Sequence, residues 1–187
     1  MSAECRLWLI RHAPVLGPQG VIHDPDAAAD VSDDTAFAAL RAKLPAQAAV
    51  FASPSTRTLQ TAAALGLHPV AEPNFREQDF GKWTGRRHDD LAREPGTAYR
   101  DFWEAPANSR PPNGESFIEQ VTRVRDGLAG LPPGDVILVV HSGTIRAALA
   151  VALEIAPDQA LRFAIDPLSL TRIDRLTNGW RIVGVNR

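Results

Sequence analysis

Two histidines in this chain each follow closely on a run of apolar residues. His12 comes after Leu7-Trp8-Leu9-Ile10 and Arg11, and His141 comes after Val136-Ile137-Leu138-Val139-Val140. Two arginines stand in comparable places, Arg11 directly after the first run and Arg57 one short turn beyond Ala48 to Ala52. One carboxylate, Glu77, lies in Phe75-Arg76-Glu77-Gln78-Asp79-Phe80-Gly81. Guanidinium forks match the oxygens of a phosphate group and stay charged at any working pH. A histidine among them can attack phosphorus, provided the attacking nitrogen carries no proton. A nearby carboxyl group can protonate the leaving alkoxide. The set is complete for phosphoryl transfer without a metal, because the arginines supply the positive charge a metal would bring.

Taken singly, each residue has a plainer reading. A histidine after a strand is usually a surface or satisfied core residue, Arg57 reads as a solvated helix residue, and Glu77 alone says almost nothing. The combination weighs more. All five can converge on one sheet edge, and such a cluster without a function would be costly in charge desolvation.

The elements that must position them are legible. The three apolar runs read as strands buried on both faces. Thr56 to Leu65 reads as a helix entered through Ser53-Pro54-Ser55 and stopped at Gly66. Gly143 to Leu153 reads as another, with Ser142 or Thr144 near its cap. Glu115 to Leu131 carries Phe117, Val121, Val124 and Leu128 on one side of a longer amphipathic helix. Asp33 to Leu44 is a further helix, closed by Pro45. Ser169 to Asp174 and Trp180 to Val185 read as a hairpin around Thr177-Asn178-Gly179. Strands alternating with helices predict a three-layer α/β/α sandwich with a mostly parallel central sheet. Ligands of such sheets bind beyond the carboxyl ends of the strands, where Arg11-His12, Ser53 to Arg57 and His141-Ser142 fall. A helix N-terminus after the third strand adds N–H donors for the same anion. Between residues 79 and 113 the texture changes. Aromatic residues are mixed with arginines and show little core periodicity, which suggests a lid-like insertion into a single domain spanning 1–187.

Composition narrows the partners. With 187 residues the chain fits one domain. The formal charge of −2 offers no bulk basic field for nucleic acid or an anionic membrane. The single cysteine, Cys5, cannot form an internal disulfide, which fits a reducing compartment. The N-terminal apolar run is too short and wrongly flanked for a signal peptide, and no stretch approaches the length of a spanning helix. The expectation is a cytoplasmic protein acting on a small phosphorylated molecule, with no cofactor and no metal. Oligomeric state is not readable.

The sequence also resembles a known family. Leu9-Ile10-Arg11-His12-Ala13-Pro14 is similar to the Arg-His-Gly signature of the histidine phosphatase superfamily, which includes the phosphoglycerate mutases. Ser53-Pro54-Ser55-Thr56-Arg57-Thr58-Leu59-Gln60-Thr61-Ala62 resembles the family's Ser-Pro-x-x-Arg-x-x-Gln-Thr-Ala segment. Phe75 to Gly85 resembles Leu-x-Glu-x-x-Phe-Gly-x-Trp-x-Gly, Gly114-Glu115-Ser116 resembles the opening of the next helix, and Val139 to Arg146 resembles the second-histidine segment. These five motifs stand in family order over residues 7 to about 150.

The resemblance implies a phosphoglycerate mutase-like fold and a role for each residue. His12 is implied as the nucleophile, with Arg11, Arg57 and His141 as the phosphoryl clamp. Glu77 is implied as general acid and then base, and the Ser142 N–H as a further donor. Trp83 and Arg86 are candidate substrate contacts, and Trp83 or Trp103 could stack on a planar base. Two departures matter. Ala13 replaces the signature glycine, and Pro18 stands where mutases often carry a phosphate-binding asparagine. The second weakens a mutase expectation. Details such as Arg11-His12-Ala13-Pro14-Val15 and Asp166-Pro167-Leu168-Ser169-Leu170-Thr171 lean toward the α-ribazole-phosphate phosphatases of cobalamin synthesis. Two alternatives remain at this point: a mutase-type phosphotransferase, and a catalytically weak phosphate-binding regulatory module.

Overall fold

The computed structural model describes residues 4–187. Residues 1–3, part of the segment read for a leader, lie outside the described residues. A six-stranded sheet forms the centre, with strand β1 (Cys5–Arg11) and strand β4 (Gly134–Val140) parallel at its middle. Strand β2 (Ala49–Ala52) lies parallel on the other side of β4, and the short β3 (Val70–Ala71) continues that edge. Strands β5 (Leu170–Leu176) and β6 (Gly179–Gly184) close the opposite edge as an antiparallel hairpin, β5 pairing with β1. The order is β3-β2-β4-β1-β5-β6.

Alternation along the two central strands explains the three layers. Leu7 and Leu9 of β1 and Val136, Leu138 and Val140 of β4 enter one core. Ile10 of β1 and Ile137 and Val139 of β4 enter the other. Both faces are therefore apolar, and each needs a helical cover. Helices α1 (Asp34–Arg41) and α2 (Thr56–Ala64) cover one face through Phe37, Leu40 and Ala62. Helices α5 (Phe117–Ala129) and α6 (Ser142–Leu153) cover the other through Phe117, Val121, Val124, Ile145 and Leu149. No helix among the described residues is long and apolar enough to cross a membrane.

Helix ends depart from the sequence expectation for identifiable reasons. Helix α1 is shorter, because Asp33 is its cap, accepting from the Ala36 N–H at 2.9 Å. At its far end Arg41 reaches out to the carbonyls of Ala64 and Leu65. Helix α5 starts at Phe117, because Ser116 forms a reciprocal capping box with Glu119. Helix α6 starts at Ser142 with extended His141 in the cap position, so neither Ser142 nor Thr144 caps it. The Thr144 hydroxyl instead donates toward the carbonyls of Phe75 and Arg76, each at 3.1 Å. Strand β3 and the short helix α7 (Pro157–Ala160) were not read from the sequence.

Residues 79–113 are more ordered than their texture suggested. They hold helices α3 (His88–Arg93) and α4 (Ala98–Glu104), which bury a core of their own from Trp83, Leu91 and Phe102, joined by Ile22. The Ile22 N–H donates to the Arg86 carbonyl at 2.9 Å and the Gly85 N–H to the Ile22 carbonyl at 2.7 Å. The segment is thus fastened to the loop that follows β1. Aromatic rings supply its apolar surface through edge contacts rather than through a helical stripe, which is why no periodicity is visible.

Candidate active site

The sheet register brings the two histidines together. Arg11 is opposite Val140, so His12 and His141 leave the carboxyl ends of adjacent parallel strands side by side. The His12 N–H still donates to the Val140 carbonyl at 2.9 Å. The two rings meet edge to face, with centroids 5.1 Å apart. Ala52 is opposite Val139, so Ser53 emerges next in line, and its Oγ lies 2.8 Å from Nε2 of His141. One turn further, the start of α2 carries Arg57 into the same corner.

The tautomer of His12 follows from its contacts. Its Nδ1 lies 2.7 Å from the Ala13 carbonyl, which can only accept, so the proton resides on Nδ1. Nε2 is left with its lone pair, the form a nucleophile needs. The Ala13 N–H is held by Thr61 Oγ1 at 3.0 Å, which fixes the turn without a glycine at residue 13. Burial is the main reason that the His12 pKa falls from 6.5 to about 3, with the neighbouring His141 ring and the charges of Arg57 and Arg11 adding to it against the bond to the Ala13 carbonyl. Burial also pushes the His141 pKa well below 6.5, aided by the charges of Arg57, Arg123 and Arg11.

The basic residues are buried and only partly satisfied. Arg57 is 5% exposed and gives one bond, 2.9 Å, to the Asp24 carbonyl. Arg11 donates to the Ile165 carbonyl, yet its Nε is buried without a partner, as is Nδ1 of His141. Buried donors without acceptors are uncommon in native proteins and cost stability. Arg11 lines the cleft, so an oxyanion bound there would give its guanidinium an acceptor.

Glu77 is held by neighbours from two helices. Its Oε1 accepts from Gln120 Nε2 at 3.1 Å and from the Gln78 N–H at 3.1 Å. Its Oε2 accepts from the Gly143 N–H at 3.3 Å. Arg123 binds the segment's backbone, donating to the carbonyls of Asn74, Arg76 and Glu77 at 2.8, 2.8 and 3.0 Å. It is itself paired with Glu115.

Arg11, His12, Arg57, Glu77 and Ser142 line one cleft of about 500 Å³, and His141 lies buried behind it. The structure thus brings together all five residues expected to be catalytic, and Ser142 with them. It does not bring Trp83 or Arg86 to the cleft. Trp83 is 5% exposed, packed edge-on against Tyr99 and Phe102 in the core of the 79–113 segment, so it has no free face for a base. Arg86 projects outward and pairs with Glu94. Gln120 escaped the sequence reading. Its sequence signal was an amide one turn from Phe117 within the apolar stripe of α5, and the structure buries it fully. His23 and Asn113 also line the cleft and were not foreseen. Among the described residues, no group of three or more His, Cys, Asp or Glu side chains is placed to hold a metal ion.

The family is defined by more than motifs. Residues 7–187 match the model of the histidine phosphatase superfamily, branch 1, and the chain belongs to that family. It is 31% identical over 140 residues to a bifunctional protein of Mycobacterium tuberculosis, an alignment covering 71% of this chain but only 38% of that protein. It is 32% identical over 143 residues to a chain named "Probable phosphoglycerate mutase GpmB" of Enterobacter sp., covering 72% of this chain and 66% of the other. Among solved structures, the α-ribazole phosphatase of Shigella flexneri superposes with a TM-score of 0.86 at 23% identity, over 97% of this chain and 96% of the other. At that identity the likeness shows the fold alone: a central mixed sheet flanked by helices.

Proposed function

We propose that this protein is a phosphatase that hydrolyses a small-molecule phosphate monoester through a phosphohistidine at His12, without a metal. The observation that carries this reading is the neutral, Nδ1-protonated His12 at the floor of a cleft beside buried, under-satisfied donors. Nε2 attacks phosphorus and the P–O ester bond breaks, while Glu77 gives its proton to the leaving alkoxide. The Glu77 carboxylate then takes a proton from water, whose oxygen attacks phosphorus. The P–N bond breaks, His12 regains its lone pair, and inorganic phosphate leaves. His141 contributes best as a neutral donor. Its Nε2 lies 2.8 Å from the Ser53 hydroxyl, which leaves Nδ1 as the nitrogen without a protein partner. Arg11 and Arg57 stabilise the charge that spreads over the equatorial oxygens.

The fold likeness to an α-ribazole phosphatase makes α-ribazole 5′-phosphate, and with it cobalamin synthesis in the cytoplasm, the first substrate to try. The likeness to a chain named for phosphoglycerate mutase keeps phosphotransfer as the second reading. The test is to quench turnover in alkali and map the phosphorylated residue. Phosphate on His12, lost in His12→Ala together with nearly all activity, is the expected result. Full activity in that variant contradicts the mechanism. The chain with Glu77→Gln should lose most on esters with poor alkoxide leaving groups and least on phenolates.

A further inference from the structure

Past Glu77 the catalytic cleft adjoins a second cavity of about 390 Å³. Glu77 and Ser142 line both, so the second cavity begins where the leaving oxygen departs. Its walls are apolar and aromatic, formed by Phe80, Phe102, Trp103 and Leu161. Trp103 is 49% exposed and meets Phe102 edge-on at 5.0 Å, unlike Trp83, which the same aromatic cluster buries. An exposed indole at the mouth of an apolar cavity beside a catalytic carboxyl is a surface on which a flat group can lie.

The cavity also contains a cation without a counterpart. Arg146 stands one turn along α6 from Ser142, and its Nε donates to the Phe163 carbonyl at 2.9 Å. No carboxylate is within ion-pair distance of it among the described residues. Its desolvation is large enough to lower the guanidinium pKa, against the raising charge of Glu77. A half-buried guanidinium without an anion is unfavourable, and a ligand's carboxylate would relieve it. Arg146 lines this cavity and not the catalytic cleft, so it is placed for the alcohol part of a substrate rather than for the phosphoryl group.

We infer that this second cavity seats the leaving group, and that the preferred substrates are phosphate monoesters of a flat, apolar alcohol bearing a carboxylate or similar anion at its far edge, bound by Arg146. The inference rests on the phosphatase reading of the same site, and it favours an anionic alcohol over α-ribazole, whose base carries no anion.

Its test compares phenyl phosphate with 4-(carboxymethyl)phenyl phosphate, whose phenolates are similarly basic, and with glycerol 1-phosphate. The wild-type protein is expected to favour the carboxymethyl ester over phenyl phosphate by about tenfold in kcat/KM. Arg146→Gln should bring that ratio to about one. Trp103→Ala, a change at a half-exposed position, should lower kcat/KM for both aryl esters about tenfold relative to glycerol 1-phosphate while keeping the carboxylate preference. Hydrolysis of phenyl phosphate with no carboxylate preference, or a preference that survives Arg146→Gln, overturns the inference and leaves the phosphatase reading standing. Release of phosphate from none of the three esters overturns the phosphatase reading itself.

Discussion

A Cβ built on Gly143 would lie 2.2 Å from Oε1 of Glu77. The glycine is there for space rather than for its own backbone conformation, since Gly143 is an ordinary residue in the first turn of α6. Its missing side chain lets the carboxyl group lie against the helix start, where the Gly143 N–H donates to Oε2 at 3.3 Å. The acid is thereby placed by the same helix that begins at the second histidine. The helix that follows His141 thus also sets the position of Glu77, the proposed proton donor.

Gly143→Ala should therefore damage catalysis more than folding. The contacting atom belongs to a side chain, which can swing aside, so the fold survives. The displaced carboxyl then misses the leaving oxygen. A misplacement of about 1 Å can cost about a hundredfold in rate, and a loss of this order in kcat is expected. Phosphohistidine formation from a phenolate ester should suffer much less than turnover of an alkyl ester. Rapid-quench measurement of both steps checks this, and an unchanged kcat for the alkyl ester would refute the placement.

Gln120 is expected to act through Glu77. Its Nε2 donates to Glu77 Oε1 and to the Arg76 carbonyl, while its own Oε1 is buried without a partner. Gln120→Met removes the amide and keeps the bulk. A fall of about tenfold in kcat with little change in KM is the expected outcome, steepest for poor leaving groups. Gln120→Glu should not rescue, because it sets a second carboxylate against the first. A purely structural role would instead lower Tm without changing the dependence on leaving group.

The lowered histidine pKa values fix the direction of two pH effects. Free His12 stays neutral until about pH 3, so the proposed nucleophile keeps its lone pair far below the usual histidine range. Once the substrate's own second ionisation near pH 6 is factored out, His12 should add no acid limb, so kcat/KM should not fall as the pH drops from 7 to about 5. Stability moves the other way. Below pH 6.5 the unfolded chain takes up protons that native His12 and His141 refuse, so Tm should fall steadily as pH drops from 6.5 toward 3. An acid limb at pH 6.5 that belongs to the enzyme, or a Tm unaffected over that window, would contradict the burial argument.

Much of this site was legible because it lies at strand ends. Unbroken apolar runs announce β1 and β4, and the next residues must emerge at one edge, so Arg11, His12 and His141 could be placed without coordinates. Arg57 and Glu77 were legible only as part of the whole set, since neither element carrying them is distinctive. Trp83 misled because an aromatic residue in a polar stretch looks the same whether it stacks on a ligand or on Phe102. The core of the 79–113 segment was hidden for a related reason. It is completed by Ile22, far away in sequence, and no local pattern reports such a partner. Strand β3 is two residues long, too short for any periodicity to register.

The last prediction separates hydrolysis from mutase chemistry, which share the phosphohistidine. A mutase must hold a second hydroxyl of the same metabolite in line with phosphohistidine, exclude water, and bind a second anionic group. In this cleft the cations of the clamp gather around His12, while the farther lining includes apolar Val15, Ile22 and Phe80 and acidic Asp79 and Glu115. Asp79 opposes a second phosphate there, Glu115 is already paired with Arg123, and Pro18, where mutases often carry an asparagine, offers no donor. The second cavity beyond Glu77 adds room for a larger alcohol rather than for a three-carbon diacid. Incubation with 3-phosphoglycerate and a trace of the bisphosphate should therefore release inorganic phosphate, with little 2-phosphoglycerate. Both products are measured in one reaction by phosphorus NMR. Isomer formation that outruns phosphate release would assign the cleft to a mutase and leave the role of His12 intact.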